Sequence, residues 1–124
     1  MATLFYGIIS SINYSSGTAN ITLQDRENQV IQGVPFLSAY YEMPRPGETV
    51  AVLFEELNGQ IGKGVILGTL FLDGNKPGEY GPDIFYKQFA DGAGMKYTPD
   101  SGELEIKVKK VVVNEIEYKA AQKG

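Results

Sequence analysis

The residue types that most often carry out chemistry in proteins are scarce in this sequence. Its 124 residues include no histidine and no cysteine, so the usual general base, the commonest metal ligand and the thiolate nucleophile are all missing. The carboxylates Glu55, Glu56, Asp73 and Asp83 are the remaining candidates for acid–base catalysis. No nucleophile, metal-binding pattern or phosphate-binding loop accompanies them. We therefore predict that the protein is not an enzyme and that it has no catalytic residue, cofactor or metal site.

Charge and glycine spacing narrow the candidate ligands further. The chain has 11 basic and 15 acidic side chains, a net charge of −4, and its basic residues cluster only at Lys107, Lys109 and Lys110. This balance disfavours nucleic-acid binding. Gly62, Gly64 and Gly68 could cradle a phosphate, but their setting among valine and isoleucine favours the curvature of a strand.

The first residues contain neither a charged leader nor a long apolar run, so we expect no signal peptide and no transmembrane helix.

Apolar and polar residues alternate with a period of two along the first half of the chain. Residues 18–24 show it most clearly, with Ala19, Ile21 and Leu23 expected on the inner face. Similar segments predict five strands, at residues 4–12, 18–24, 30–36, 48–55 and 65–71, with one helical turn at 38–43. Five short strands with a helical turn after the third are typical of the oligonucleotide/oligosaccharide-binding (OB) barrel. We therefore predict an all-β protein whose OB-fold barrel spans residues 1–71.

A Gly- and Pro-rich segment, residues 72–83, predicts a linker, and residues 84–124 predict a β-rich C-terminal arm. In the last strand region, 103–118, period-two apolar residues predict an extended strand or a hairpin with one apolar face. Two or three strands alone are marginal in water, so that face needs cover. The arm either folds back on its own barrel or packs against identical arms. The second hypothesis predicts a subunit interface made of Leu104, Ile106, Val108, Val112 and Ile116.

Two motifs flank the predicted fourth strand. Met43-Pro44-Arg45-Pro46-Gly47-Glu48 precedes it, and Gly64-Val65-Ile66-Leu67-Gly68 opens the fifth. We expect Pro44, Gly47 and Glu48 to shape the turn into the fourth strand, and Gly64 and Gly68 to give the fifth its curvature. With the following Asn75-Lys76-Pro77-Gly78 loop, the two motifs resemble the phage baseplate assembly protein V family. That family is similar to the central spikes of contractile tails and of type VI secretion.

The resemblance implies a structural function. Three copies would surround a tail axis, with the barrels against baseplate hub and tail-tube proteins and the arms intertwined in a β-rich needle that pierces a cell envelope. Particles of this kind, phages or tailocins, are assembled in the host cytoplasm and act outside it. Relatives that end in a His-x-His apex hold iron there, but this sequence has no histidine. The resemblance therefore implies a blunt, metal-free needle with room for a separate tip protein.

The runner-up is a binding module. OB barrels commonly hold single-stranded nucleic acid or carbohydrate on aromatic side chains, and Phe36, Tyr40 and Tyr41 are the candidates here. The acidic balance offers no basic groove for a phosphate backbone, and packing would also place aromatic residues at these positions. We therefore predict that these three residues are packing residues.

Overall fold

The computed structural model describes residues 2–120 as an all-β chain with one short 3-10 turn, Gln24–Arg26. It forms two compact units, Met1–Asn75 and Lys76–Gly124. The first unit contains β1 (Ala2–Asn13), β2 (Thr18–Leu23), β3 (Gln29–Pro35), β4 (Thr49–Leu57) and β5 (Gln60–Thr69). The second contains β6 (Phe85–Gln88), β7 (Gly94–Thr98), β8 (Glu103–Lys107), β9 (Lys110–Val113) and β10 (Ile116–Lys119).

The five strands of the first unit form one curled antiparallel sheet, a half-barrel, in the order β3-β2-β1-β4-β5. Its two edges approach each other at Phe36 and Ile66, which form an isolated parallel bridge, and Leu37 N donates to Ile66 O at 3.3 Å. The core lies inside the curl and consists of Ile9, Ala19, Ile21, Leu23, Val34, Val50, Val52, Phe54 and Ile66. The inward positions predicted for β2 are confirmed, because all three of those side chains are buried.

Two adjacent β-bulges bend this sheet. Ser10 is the extra residue between β1 and β2, and Gln32 and Gly33 lie opposite the single residue Asn20 between β3 and β2. The Asn20 side chain joins the two bulges, donating from Nδ2 to Ser11 Oγ at 2.9 Å and accepting from Gly33 N at 3.0 Å. Because a bulge reverses the alternation, Ile12 lies on the same face as Ile9 and packs against the core. Strict alternation from Leu4 onward would instead place Ile12 on the face of Leu4, Tyr6 and Ile8.

The second unit consists of a three-stranded antiparallel sheet, β6-β7-β8, and a hairpin, β9-β10. Among its described residues no hydrophobic side chain is fully buried, since the whole buried apolar set lies between Ile9 and Ile66. The unit is therefore built from strand pairing without a core of its own.

The structure differs from the sequence-based prediction of secondary structure at three places. Residues 38–43 form no helical turn, because a single turn before Pro44 has too few hydrogen bonds to be stable. β5 begins at Gln60, five residues before the predicted start, because Asn58 and Gly59 make a tight hairpin turn with φ of 54° and 79°. The predicted last strand region, 103–118, is divided into β8, β9 and β10.

Candidate functional site

The β6-β7-β8 sheet has one apolar face. Strand pairing aligns Phe85, Tyr97 and Leu104 in one row and Lys87, Met95 and Ile106 in the next. About half of the surface of three of these side chains is exposed: 57% for Phe85, 54% for Leu104 and 46% for Ile106. The Lys87 ammonium lies over the Phe89 ring, 5.9 Å from its centroid. We call the five residues Phe85, Met95, Tyr97, Leu104 and Ile106 the apolar sheet face. It is an ordered hydrophobic surface that the second unit leaves uncovered.

The opposite face of this sheet is polar. It carries Tyr86, Lys96 and Glu105 in one row and Gln88, Gly94 and Lys107 in the next. Lys96 Nζ lies 3.3 Å from Glu79 Oε1, and Lys107 Nζ lies 3.6 Å from Glu105 Oε1. Such exposed pairs contribute little to stability, but they keep the face well solvated. The sheet therefore has one apolar and one polar face, and both are accessible to solvent.

The β9-β10 hairpin also separates apolar from polar residues. Its turn, Asn114 and Glu115, has φ of 50° and 74°, and the pairs Val113–Ile116 and Val111–Tyr118 share one face. Lys110, Val112, Glu117 and Lys119 share the other, where Lys110 Nζ lies 3.4 Å from Glu117 Oε1. A two-residue turn pairs residue i with i+3, which reverses the parity of the alternation. The sequence-based grouping of Val112 with Ile116 is therefore wrong, and Val113 takes its place.

The residues predicted as a subunit interface are distributed over three places. Leu104 and Ile106 lie together on the apolar sheet face, and Ile116 lies on the apolar face of the hairpin. Val108 is half-buried between β8 and β9, outside both strands, and Val112 lies on the polar face of the hairpin. The structure thus brings two of the five together and adds Phe85, Met95 and Tyr97, which the sequence analysis did not select. The signal available in the sequence was the alternation of Met95 and Tyr97 with Gly94, Lys96 and Thr98.

The predicted turn residues before β4 form a compact hydrogen-bonded turn. Pro44 is half-buried and directly precedes it, and Gly47 has a φ of 93°, a conformation that favours glycine. Glu48 closes the turn through its carboxylate, which accepts from Arg45 N at 2.7 Å. Gly47 N donates to Ile9 O at 2.7 Å, and Ile9 N donates to Glu48 O at 3.0 Å. These two bonds attach the turn to the bulged part of β1.

The two glycines predicted to curve β5 have different local roles. A side chain at Gly64 would collide with the Phe54 ring, which lies 5.9 Å from the Phe5 ring centroid in an edge-on arrangement. Gly68 has a φ of 149° and lies beside the irregularity where Leu67 is the extra residue between β5 and β4. Gly64 therefore makes room for the largest core side chain, while Gly68 allows the bend.

The candidate acid–base carboxylates do not form a common site. Glu56 Oε1 lies 3.4 Å from Arg26 Nη1. Its neighbour in β4, Glu55, is exposed, and Asp73 and Asp83 are exposed in loops. Arg26, which the sequence analysis did not select, also donates to Gly59 O at 3.1 Å and lies over the Phe5 ring. Within residues 2–120 no three carboxylates come close enough to hold a metal ion.

The three aromatic residues of the binding-module hypothesis occupy two environments. Phe36 is half-buried and packs against the core, as predicted. Tyr40 and Tyr41 are 86% and 70% exposed, so they do not belong to the core of this chain, and packing at an interface stays a prediction for them. Tyr41 is nevertheless held in place, because its hydroxyl donates to Tyr14 O at 3.2 Å.

Comparison with known proteins leaves the site to be interpreted from its geometry. Neither the family models nor the curated proteins include a match to this chain. The part of the chain from residue 2 to residue 120 also has no helix with the length and hydrophobicity needed to cross a bilayer.

Proposed function

We propose that this chain is a structural subunit that assembles with two identical copies through its second unit. In this proposal the assembly is the central spike of a contractile phage tail, a tailocin or a related injection particle. The observation that carries the proposal is the uncovered apolar sheet face. The number of copies and the type of particle come from the resemblance of the motifs at Pro44–Glu48 and Gly64–Gly68 to the baseplate assembly protein V family.

The second unit is poorly equipped to fold alone. A three-stranded sheet and a separate two-stranded hairpin bury little apolar surface, and such small strand assemblies are marginal in water. Here both have an apolar face with half-exposed valine, leucine, isoleucine and aromatic side chains. Because these side chains are already half-buried, covering each one contributes roughly half of the 1.5–3 kcal/mol expected for full burial. Identical copies expose identical apolar faces, so the face of one copy can be covered by the face of another. Symmetric oligomers form in this way.

The distribution of charge favours contact between second units. Up to Asn75 the chain has seven acidic and three basic side chains, whereas from Lys76 onward it has eight of each. The net charge of −4 therefore belongs entirely to the first unit. Second units have no net charge to repel one another at close range, while first units would repel. This arrangement supports an assembly that is joined through the arms.

The first unit fits the proposed role as an OB barrel. The strand order β3-β2-β1-β4-β5 places β1 at the centre, paired with both β2 and β4, and the parallel contact of Phe36 with Ile66 brings β3 beside β5. We infer that this contact closes the OB barrel. A closed barrel has few free strand edges, which suits a particle component that must not aggregate. In the proposed spike, the barrels contact the hub and tube proteins and the arms form the stiff needle.

Sedimentation equilibrium of the purified chain tests the proposal. A particle of three 13.6-kDa chains is expected, and a monomer at all concentrations would contradict it. Ile106→Asp places a carboxylate on the apolar sheet face and is expected to reduce the mass to that of a single chain, because an unpaired buried charge is strongly unfavourable. Gln88→Asp is the matched control, since it places the same carboxylate on the polar face of the same sheet.

The barrel serves as an internal reference for this experiment. Amide NMR shifts of core residues of the first unit, such as Ile9, Val52 and Phe54, report the fold of that unit in the Ile106→Asp variant. An unchanged spectrum with a lower mass supports the arm interface. A variant that keeps the native mass would exclude the apolar sheet face as the site of assembly.

A further inference from the structure

The first unit differs between the two ends of strand β2. At the end of β2, residues 25–27 are the only charged residues between positions 2 and 41. From this β2–β3 connection Arg26 reaches the β4–β5 hairpin, pairing with Glu56 at 3.4 Å and donating to Gly59 O at 3.1 Å. The connection and the hairpin thus form a charged end. The β1–β2 turn, residues 14–17, lies at the start of β2 and therefore at the opposite end of that strand.

The opposite end exposes large side chains and no charge. Tyr14 lies in the β1–β2 turn, and Leu37, Tyr40 and Tyr41 lie in the segment that follows β3. These side chains are 53%, 55%, 86% and 70% exposed, respectively. We call the four residues the tyrosine tip. Glu42 is the first charged residue after the β2–β3 connection, so the tip itself presents aromatic and apolar surface without an ion.

Hydrogen bonds hold the tyrosine tip together. Phe36 N donates to Gly17 O at 3.0 Å, which joins the segment after β3 to the β1–β2 turn. The Tyr41 hydroxyl donates to Tyr14 O at 3.2 Å, which joins the same two parts a second time. The four side chains therefore belong to one place on the surface. An ordered surface of this kind loses little conformational entropy when it binds a partner.

The side chains of the tyrosine tip suit a lipid headgroup layer. Tyrosine is enriched at membrane–water interfaces, because its ring is apolar and its hydroxyl is polar. Within residues 2–120 the hydroxyls of Tyr14 and Tyr40 form no hydrogen bond to protein, so they are available to the phosphate and carbonyl oxygens of lipids. Leu37 adds an apolar side chain, and no charged side chain of the tip would have to leave water.

We propose that the tyrosine tip binds the surface of a neutral, zwitterionic phospholipid bilayer. Its four side chains would lie at the depth of the headgroups, and the charged end would stay in water. Charge selects the lipid, because the first unit carries the net charge of −4 and its tip has no cation, so an anionic bilayer would repel it. A protein partner would need a pocket shaped for Tyr40, the most exposed of the four, whereas a headgroup layer adapts to protruding side chains.

A tryptophan reporter tests the proposal. The chain has no tryptophan, so Tyr40→Trp supplies a single probe at the tip, and Tyr80→Trp supplies the matched control at a position 81% exposed in the other unit. Each variant is titrated with phosphatidylcholine vesicles to about 5 mM lipid, because a small anchor binds a bilayer weakly. The emission of Tyr40→Trp is expected to shift to shorter wavelength, and that of Tyr80→Trp to stay unchanged. The proposal is overturned by no shift at position 40, by an equal shift at position 80, or by a shift that requires phosphatidylglycerol.

Vesicle flotation of further variants measures the contribution of each side chain. Tyr40→Ser and Leu37→Ser are each expected to reduce the ratio of vesicle-bound to free protein by roughly threefold or more, while Tyr40→Phe, which keeps the ring, is expected to reduce it less. Tyr80→Ser is expected to leave it unchanged. Raising the NaCl concentration from about 0.05 to 0.5 M is expected to have little effect, because the contact contains no ion pair. Unaltered flotation of Tyr40→Ser, or release of the unmodified chain by salt, would contradict the proposal.

Discussion

The two units of this chain have similar strand content but opposite relations to their hydrophobic residues. In the first unit, a curled sheet encloses nine fully buried side chains, from Ile9 to Ile66. In the second, the same kinds of residue occupy one face of a three-stranded sheet and one face of a hairpin, and they stay half-exposed. Curling lets a single sheet cover its own apolar face, whereas a short open sheet must be covered by another surface. This difference predicts that the first unit is stabilised by contacts within one chain. It also predicts that the second unit is stabilised by contacts between chains.

Charge follows the same division. The first unit carries the net charge and the second is balanced, with ion pairs such as Lys96–Glu79 and Lys110–Glu117 on its polar faces. In the proposed assembly, repulsion between first units and the neutrality of second units both favour contact between copies through the arms. Substitutions in each unit should therefore have effects of different kinds, on unfolding in one and on association in the other.

The largest expected effect is on the core of the first unit. Phe54 is 1% exposed and packs edge-on against Phe5, so Phe54→Ala is expected to lower the free energy of unfolding by about 3–5 kcal/mol. Urea unfolding followed by circular dichroism measures this. Leu57→Ala, at a position 72% exposed on the same strand, is the control and is expected to change stability very little. Equal effects of the two substitutions would mean that the core inside the curled sheet is not what stabilises this unit.

A smaller effect is expected at Gly64, where the strand makes room for the Phe54 ring. Gly64→Ala is expected to cost about 1–3 kcal/mol through overpacking, while Gly74→Ala, which meets no neighbour within 4 Å, is expected to be tolerated. Combining Gly64→Ala with Phe54→Leu tests the cause. Because the two residues are in contact, the cost of the alanine should be smaller in that background. Additive costs would show that the collision with Phe54 is not the source of the effect.

The smallest expected effect concerns the hairpin of the second unit and distinguishes its two faces. Val113→Ser removes an apolar group from the face shared with Ile116 and is expected to weaken association by up to about fivefold, or about 1 kcal/mol. Val112→Ser makes the same change on the polar face and is expected to have no such effect. Sedimentation over a range of concentrations measures both. A larger effect at Val112 would favour the grouping drawn from sequence alternation over the observed pairing.

Much of the first unit was predictable because stretches of its strands between the bulges alternate regularly. The alternation in β2 identified Ala19, Ile21 and Leu23 as inward, and the turn residues Gly47 and Glu48 lie in the turn expected for them. Alternation failed at irregular points, such as the bulge that moves Ile12 to the core face and the Asn114-Glu115 turn that moves Val112 to the polar face. One inserted residue or one tight turn reverses the parity of every residue that follows.

The candidate site was only partly predictable for the same reason. Leu104 and Ile106 could be selected because they lie in one strand, but their neighbours Phe85, Met95 and Tyr97 come from two other strands and meet them only through the pairing register. Arg26 is similar, since its contacts with Phe5, Glu56 and Gly59 join three separate parts of the chain. No local pattern encodes such distant partners.

The sequence by itself determined the β-rich character of the chain, the absence of histidine and cysteine chemistry, and the presence of more apolar strand faces than one small barrel can enclose. These properties follow from composition and from the alternation of side chains across a strand. The tertiary structure decided which faces are buried, where the two bulges bend the first sheet, and which apolar residues make up the uncovered sheet face. Those outcomes depend on strand register and curvature, which result from hydrogen bonds between residues that are far apart in the sequence.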